Sequence, residues 1–408
     1  MDQSQNMLAG LNQKQQEAVL ITDGPVLILA GPGAGKTKTL TQRIAHLIQK
    51  GTPPERILAV TFTNKAADEM KTRISTLLST QSRFYSFAGR LPFIGTFHAF
   101  ALQMLRAHAP RIGYAPTFSI FDDDDSLSLI KDVMKELEIN PKQFAPTTVL
   151  HTISGLKSEL ITPERYAAES DIADFFPRVV HNVYAAYQKR LRESNAMDFD
   201  DLLMNAVILL QQNQEILADY QERFLYVHVD EYQDTNHAQY VLMDHLAKKH
   251  RNIVVVGDDA QAIYSFRGAD FRNILNFEKD WPDAKVIVLD QNYRSTQIIL
   301  DAARGIIGKN RFQKEKNLWT EQKIGEQITV VPAENEHAEA QFVLETMQEI
   351  LGQGRLLKDM VVLYRTNAQS RPIEEVFLEN NFPYKIIGGV KFYQRKEVKD
   401  IIAYLRAL

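Results

Sequence analysis

Residues 26–48 of this 408-residue chain read VLILAGPGAGKTKTLTQRIAHLI. The apolar run Val26–Ala30 leads directly into a glycine-rich turn, and a helical pattern follows the turn. Backbone N–H groups of such a turn can surround a phosphate, and the first turn of the helix adds partial positive charge. The stretch therefore predicts a phosphate-binding loop between a buried strand and a helix.

The predicted nucleotide contacts lie in this loop. Lys36 is placed to reach the β- and γ-phosphates of ATP, and the Thr37 hydroxyl is a suitable Mg²⁺ ligand. The first position of the common GxxxxGK[ST] pattern is Ala30 rather than glycine, which is a mild departure. A chance match is the alternative, and the flanking strand and helix disfavour it. The residues predicted to contact ATP here are Gly31, Pro32, Gly33, Ala34, Gly35, Lys36, Thr37 and Lys38.

Composition restricts the class of protein. Forty-seven basic residues stand against 51 acidic ones, for a formal charge of −4, so a nucleic-acid site must be a local groove rather than a general basic surface. The absence of cysteine from the sequence excludes disulfides, thiolate zinc sites, iron–sulfur clusters and a cysteine nucleophile. With neither a signal-like N-terminus nor an apolar run of about 18 residues, we expect a cytoplasmic protein without membrane contact.

Short apolar runs alternate with helical patterns, which is typical of an α/β fold whose parallel sheet is covered on both faces. Residues 111–195 are nearly free of strand-like runs, and residues 126–139 are predicted to be helical. A second α/β unit is expected to begin near Asn292, with a strand-like run at residues 360–364 and a helical pattern at 398–408. The predicted strands of the first sheet are Val26–Ala30, Ile57–Thr61, residues 225–230, Ile253–Gly257 and residues 286–289.

Two carboxylates follow the apolar run at residues 225–229. An acidic side chain at the tip of a parallel strand, next to a phosphate loop, can hold Mg²⁺ through water, and a second carboxylate can polarise the attacking water. We assign Asp230 to the metal and Glu231 to the role of general base; a solvated acidic turn is the alternative. His228 lies within the strand and is interpreted as a core histidine.

Eight segments occur in the order found in superfamily 1A DNA helicases of the UvrD/Rep/PcrA type. They are AGPGAGKT, ILAVTFTNKAADEM, GTFHAF, NAMDFDDL, VDEYQDTN, VVGDDAQAIYSFRGA, LDQNYRS and LYRTNAQSR. Eight segments in register are far more specific than any one of them, and the resemblance extends from Leu11 to about Leu405.

The resemblance implies a P-loop NTPase with RecA-like domains that uses ATP and Mg²⁺ to move 3′ to 5′ on single-stranded DNA and to unwind duplexes at junctions, in DNA repair or replication. It implies a RecA-like ATP-binding domain 1A at residues 1–110 and 196–288, with an inserted helical subdomain 1B at 111–195. Residues 289–408 would form part of a second RecA-like domain, 2A, ending near the start of the 2B insertion.

The resemblance also implies roles for single residues. Gln15 would contact adenine; a capping box with Asn12 at a helix start is the alternative, and both interpretations can hold together. Gln261 would sense the γ-phosphate and couple it to DNA. Tyr293 would stack on adenine, and Arg294 would reach the γ-phosphate with its fork of donors.

The DNA contacts implied by the resemblance combine aromatic side chains that stack on bases with polar groups that bind phosphates. For any single aromatic residue, core packing is an equally good interpretation, and the set as a whole favours DNA. Phe266 departs from the family pattern, in which many relatives carry tryptophan, so a weaker base contact is expected there. The implied contacts are Phe62, Thr63, Asn64, His98, Phe199, Tyr264, Phe266, Arg267, Arg365 and Asn367.

Members of this family are usually longer, and a distal segment of theirs supplies a further γ-phosphate arginine that these 408 residues lack. We therefore expect a truncated chain, or one completed by a second polypeptide, that binds nucleotide but hydrolyses it slowly and does not unwind DNA alone. An ATP-gated single-strand binding module and a helicase subunit of a recombination complex remain the alternatives. An accessory repair or replication protein is an expected partner.

Overall fold

The computed structural model describes residues 8–79, 90–169, 174–265, 268–310, 313–314 and 316–387. The chain forms two compact units, Met1–Glu326 and Gln327–Leu408. Within the described ranges, no helix combines the length and the apolar character that crossing a bilayer requires.

The first unit is organised around a parallel sheet, as expected for an α/β fold. Its described strands are β1 Val26–Ala30, β2 Ile57–Thr61, β3 Phe93–Thr96, β4 Ser119–Phe121, β5 Ala196–Asp198, β6 Tyr226–Val229, β7 Ile253–Gly257, β8 Lys285–Leu289, β9 Gln291–Asn292 and β10 Trp319–Thr320. Six of these pair in the order β3-β2-β6-β7-β1-β8, and every pairing in this sheet is parallel. The predicted bounds of β1, β2 and β7 are confirmed, whereas β3 was not predicted.

Helices connect these strands. Those described in the first unit are α1 Gln13–Leu20, α2 Lys36–Gln49, α3 Asn64–Ser79, α4 Phe97–His108, α5 Asp123–Glu136, α6 Pro146–Ser158, α7 Pro163–Glu169, α8 Phe175–Glu193, α9 Phe199–Gln212, α10 Gln214–Arg223, α11 His237–Ala247, α12 Arg272–Asp280 and α13 Gln297–Ile307.

Both faces of the sheet are covered because alternate residues of each strand point to opposite sides. On one face, Leu27 and Leu29 of β1 belong to a core built with α4, α9 and α11. On the other face, Val26 and Ile28 belong to a core built with α2 and α3. The sheet is therefore buried on both sides, and its strand ends are left to form sites.

Helices α5, α6 and α8 pack around a core of their own that includes Ile130, Tyr184 and Tyr187. Helix α5 begins three residues before the predicted start, because the Asp122 side chain accepts a hydrogen bond from the Asp125 backbone N–H and caps the helix. The consecutive acidic residues 122–125 therefore form the start of this helix.

The second unit contains α14 Glu336–Gly352 and α15 Ser370–Glu379, which pack around Leu344 and Phe377. The predicted strand at residues 360–364 is wrong: this run is not assigned as a strand, and Val361 and Leu363 are 75% and 86% exposed. A strand needs a hydrogen-bonded neighbour, and none pairs with this run among the residues that the structure describes. The helix predicted at 398–408 lies outside the described residues.

Candidate nucleotide and DNA site

The residues implicated by the sequence gather at one edge of the sheet, where the parallel strands end. Along this edge, the segments that follow β2 and β3 carry predicted DNA contacts, and the segment after β6 carries Asp230 and Glu231. The segment after β7 carries Gln261, that after β1 is the phosphate loop, and residues 291–294 follow β8. Ligands of open parallel sheets bind at the carboxyl ends of the strands, so this edge is the candidate site.

The phosphate loop has the backbone that its glycines allow. Gly35 has φ of 83° and immediately precedes α2, and a Cβ atom there would lie 2.7 Å from Nε2 of Gln15. That amide donates to the Ala34 carbonyl oxygen at 2.9 Å, while its Oε1 accepts from the Asn12 backbone N–H at 3.0 Å. Gln15 therefore forms the capping box and fastens the loop to α1.

Lys36 and Glu231 form an ion pair, with 2.8 Å between the Lys36 Nζ and the Glu231 Oε2 atoms. Glu231 has φ of 51° and ψ of 47°, a left-handed conformation that is costly for a residue with a side chain. Local strain of this kind gathers at functional sites, and here it accompanies a carboxylate placed beside the phosphate loop.

Asp230 is almost fully buried next to this pair. Burial raises the pKa of its carboxyl group to about 7, and Glu231 adds to the rise, while Lys36 and the Thr37 hydroxyl oppose it. A bound cation would offset the cost of ionising such a carboxyl group, so the donors fit Mg²⁺. Thr37 and Asp230 are the residues that would hold it.

Gln233 was not identified from the sequence, although it stands two residues after Glu231. Its Nε2 atom donates to Oε2 of Glu231 at 2.9 Å, and its Oε1 atom accepts from the Asp258 backbone N–H at 3.0 Å. A Cβ atom on Gly257 would lie 2.6 Å from that Oε1 atom, so a larger residue at the end of β7 would require the Gln233 amide to move. Gln233 thus joins the catalytic candidate Glu231 to the turn after β7.

That turn is shaped by Asp258. The Asp258 carboxylate accepts from the Ala260 backbone N–H at 3.1 Å, and its Oδ2 atom accepts from the Gln261 side-chain amide at 2.7 Å. Lys316, which no sequence signal identified, also binds Asp258 and Asp259.

The segment that follows β8 lies on the phosphate loop. The Asn292 side chain donates to the Pro32 carbonyl oxygen at 2.5 Å, and the Tyr293 backbone N–H donates to the Gly33 carbonyl oxygen at 3.0 Å. The Asn12 amide donates to the Tyr293 hydroxyl at 2.8 Å, so the two predicted adenine contacts, Gln15 and Tyr293, are both tied to Asn12. Arg294 follows on the exposed side of this segment.

The aromatic DNA candidates form two pairs. The rings of Phe62 and Tyr264 have centroids 5.0 Å apart, although they follow different strands. The rings of His98 and Phe199 lie 6.1 Å apart, edge to face, and Phe199 is 46% exposed at the start of α9.

Helix α9 begins where a buried cation fixes its cap. Asp198 caps the helix, and its Oδ2 atom is 2.6 Å from the Nζ atom of Lys157, whose side chain is fully buried. Burial alone lowers the pKa of Lys157, but the Asp198 and Asp201 carboxylates raise it well above its ordinary value. Lys157 thereby ties α6 to the helix that presents Phe199.

The other DNA candidates are less informative. The Thr63 hydroxyl accepts from the Ala66 backbone N–H at 3.1 Å, and Asn64 begins α3. Phe266 and Arg267 lie outside the described residues. Arg365 and Asn367 belong to the second unit, where Asn367 begins a short 3₁₀ helix.

Comparison with known proteins identifies relatives for the whole chain. Residues 11–282 match the family model of the UvrD/REP helicase N-terminal domain, and residues 287–408 match that of the UvrD-like helicase C-terminal domain. The chain is 49% identical over 405 residues to the ATP-dependent DNA helicase PcrA of Bacillus subtilis, which covers 99% of this chain and 54% of that protein.

Two further relatives carry the same name. PcrA of Staphylococcus aureus (strain Mu50) is 47% identical over 403 residues, which cover 98% of this chain and 54% of the relative. PcrA of Leuconostoc citreum is 49% identical over 398 residues, which cover 97% and 52%. The chain thus spans about half the length of the curated relatives that it matches.

Proposed function

This chain belongs to the UvrD/Rep helicase family, and from that membership we propose that it hydrolyses ATP to move 3′ to 5′ along single-stranded DNA and to unwind duplex DNA. The matched relatives named ATP-dependent DNA helicases support the use of ATP and DNA. The direction of movement follows from the resemblance to superfamily 1A.

One observation carries the proposal: candidate DNA contacts and candidate nucleotide contacts lie along the same edge of the sheet, and the Lys36–Glu231 pair lies at this edge. Strands β2 and β3, on one side of β6, are followed by DNA candidates, and β7 and β1, on the other side, are followed by Gln261 and the phosphate loop. Tyr264, from the segment after β7, contacts Phe62, from the segment after β2. A change at the phosphates can therefore be passed to the aromatic pair through a few contacts.

The proposed chemical roles come from the phosphate-loop chemistry and from the family resemblance, and this arrangement supports them. Lys36 binds the β- and γ-phosphates, and Glu231 accepts the proton of the attacking water. Thr37 and Asp230 would hold Mg²⁺, which would supply positive charge to neutralise the phosphoryl oxygens. Arg294 contributes a further positive charge from the segment after β8, and Tyr293 and Gln15 recognise adenine.

Single-stranded DNA is proposed to stack on the Phe62–Tyr264 and His98–Phe199 pairs. The polar contacts come from Thr63, Asn64, Arg365 and Asn367. We further propose that residues 1–110 with 196–288 act as domain 1A, 111–195 as subdomain 1B and 289–408 as part of 2A. The proposed location is the cytoplasm, and the proposed substrates are junctions of duplex and single-stranded DNA that arise in repair or replication. An accessory repair or replication protein is the proposed partner.

A strand-displacement assay tests this function on the protein expressed from its complete gene. Duplexes with a 3′ or a 5′ single-stranded tail are incubated with ATP and Mg²⁺. Unwinding from the 3′ tail alone, lost in Glu231→Gln, is the expected result. Unwinding from the 5′ tail alone would contradict the proposed 3′ to 5′ direction of movement. ATP-sensitive DNA binding without any unwinding would favour the ATP-gated binding module instead.

A further inference from the structure

Lys316 forms ion pairs with two carboxylates of the turn that carries Gln261. Its Nζ atom lies 2.5 Å from Oδ1 of Asp258 and also binds the Asp259 carboxylate. The side chains of Lys316, Asp258 and Asp259 are 7%, 1% and 0% exposed. Two buried carboxylates on adjacent residues need a cation, and Lys316 supplies it.

The two oxygens of the Asp258 carboxylate divide its contacts. Oδ1 accepts from Lys316 and from the Ala260 backbone N–H, whereas Oδ2 accepts from the Gln261 side-chain amide at 2.7 Å. A carboxylate held on one oxygen by a buried ammonium group cannot rotate freely, so its other oxygen has a fixed direction. Lys316 and the Ala260 backbone N–H therefore together limit the directions from which Oδ2 can accept from the Gln261 amide.

We propose that Lys316 is a positioning residue for Gln261, holding the Asp258 carboxylate in the orientation in which it binds the Gln261 amide. The inference rests on the proposed function, in which Gln261 links the nucleotide to DNA. Lys316 lies in the region matched by the C-terminal family model, whereas Asp258 and Gln261 lie in the region matched by the N-terminal one. Displacement of the Lys316 segment from the turn frees Asp258 and, with it, Gln261.

A neighbouring lysine provides a matched control. The Lys314 side chain pairs with Glu278, which is 49% exposed, and only the Lys314 backbone N–H contacts Asp259. Lys314→Met removes a positive charge from the same segment and leaves the Asp258–Gln261 contact in place. Lys316→Arg retains the charge and is expected to retain most of the positioning.

The experiment measures the coupling between nucleotide and DNA. The affinity for a labelled oligo-dT of about 16 nucleotides is determined with and without a non-hydrolysable ATP analogue and Mg²⁺. The ratio of the two dissociation constants is the coupling factor, which we expect to be about fivefold or more, in either direction, in the unaltered protein. Lys316→Met is expected to bring this factor below about twofold while each ligand still binds alone.

The outcomes separate the inference from the function on which it rests. Equal coupling in Lys316→Met and Lys314→Met would overturn the positioning role of Lys316. An unaltered protein that fails to bind DNA or the analogue, or shows no coupling, would overturn the proposed function and the inference together. If Lys316→Met unfolds, Lys316→Met combined with Asp259→Asn removes one charge of each sign, and normal coupling in this double variant would also overturn the role.

Discussion

The Nζ atom of Lys36 lies 2.8 Å from Oε2 of Glu231, so the predicted phosphate ligand and the predicted general base are partners in one ion pair. The Gln233 side-chain amide donates to the same Glu231 oxygen at 2.9 Å. A nucleotide whose phosphates bind Lys36 must compete with Glu231 for it. The proposed general base and the proposed phosphate ligand are therefore linked by direct contact.

Glu231→Gln should bind an ATP analogue about two- to fivefold more tightly than the unaltered protein, because its neutral amide competes less for Lys36. Turnover should fall by about 10²-fold or more, since the general base is lost. Equilibrium titration with a fluorescent ATP analogue measures the first effect. Lys36→Ala is the opposing control and should lose nucleotide affinity; equal affinities in all three proteins would remove Lys36 from its role.

Gly257→Ala should lower turnover at saturating ATP by about tenfold. The new Cβ atom would lie 2.6 Å from the Gln233 amide oxygen and 2.8 Å from a side-chain carbon of Ile274. Such crowding costs about 1–3 kcal/mol and displaces the amide that holds Glu231. Gly305→Ala, where an added Cβ meets open space within α13, is the control. Unchanged turnover in Gly257→Ala would show that Gln233 does not position Glu231.

Tyr264→Ala and Phe62→Ala should each weaken single-stranded DNA binding by about 1–3 kcal/mol, because each removes a face on which a base can stack. Since the rings are in contact, the double variant should lose less than the sum of the two single losses. Phe342→Ala, on a partly exposed position of α14, is the control. Loss of thermal stability with unchanged DNA affinity would show that Phe62 and Tyr264 are packing residues and do not bind DNA.

Lys157→Met should lower the free energy of unfolding by about 3–5 kcal/mol, because it leaves buried carboxylates without their cation. Lys157 is fully buried, 2.6 Å from Asp198 and 2.9 Å from Asp201. Lys189→Met, at a position that is 76% exposed, should change stability by less than about 0.5 kcal/mol. Similar urea midpoints for the two variants would contradict the structural role of Lys157.

The buried His228 should contribute to the pH dependence of the free energy of unfolding in mild acid. Burial lowers the pKa of His228 to about 3, so the folded protein keeps it neutral while the unfolded chain binds a proton below about pH 6.5. The contribution of His228 to stability is therefore lost as the pH falls from about 6.5 toward 3, and roughly 2 kcal/mol of that contribution is lost by pH 5, in opposition to the effect of the raised pKa of Asp230. Urea unfolding at pH 7 and pH 5 isolates this contribution: the change in the free energy of unfolding between the two pH values should be about 2 kcal/mol less favourable in the unaltered protein, and in the exposed His151→Gln control, than in His228→Gln.

Strands β1, β2 and β7 were predictable to the residue because each is fully buried and carries a continuous apolar run. The capping role of Gln15 was also visible, since it depends on a spacing of three residues from Asn12. Contacts between distant segments could not be predicted from the sequence: the hydrogen bond from Asn292 to Pro32 spans 260 positions. Lys316 gave no signal for the same reason, because its carboxylate partners are set by the packing of the fold. Residues 360–364 have the composition of a strand, but pairing decides whether one forms.

The most direct test of the account is steady-state ATP turnover with and without single-stranded DNA, in the unaltered protein and in Glu231→Gln. The informative quantity is the ratio of the two rates. The account predicts that DNA raises turnover several-fold and that Glu231→Gln lowers turnover by about 10²-fold or more under both conditions. A turnover rate that does not change when DNA is added, or that Glu231→Gln does not lower, would contradict the account.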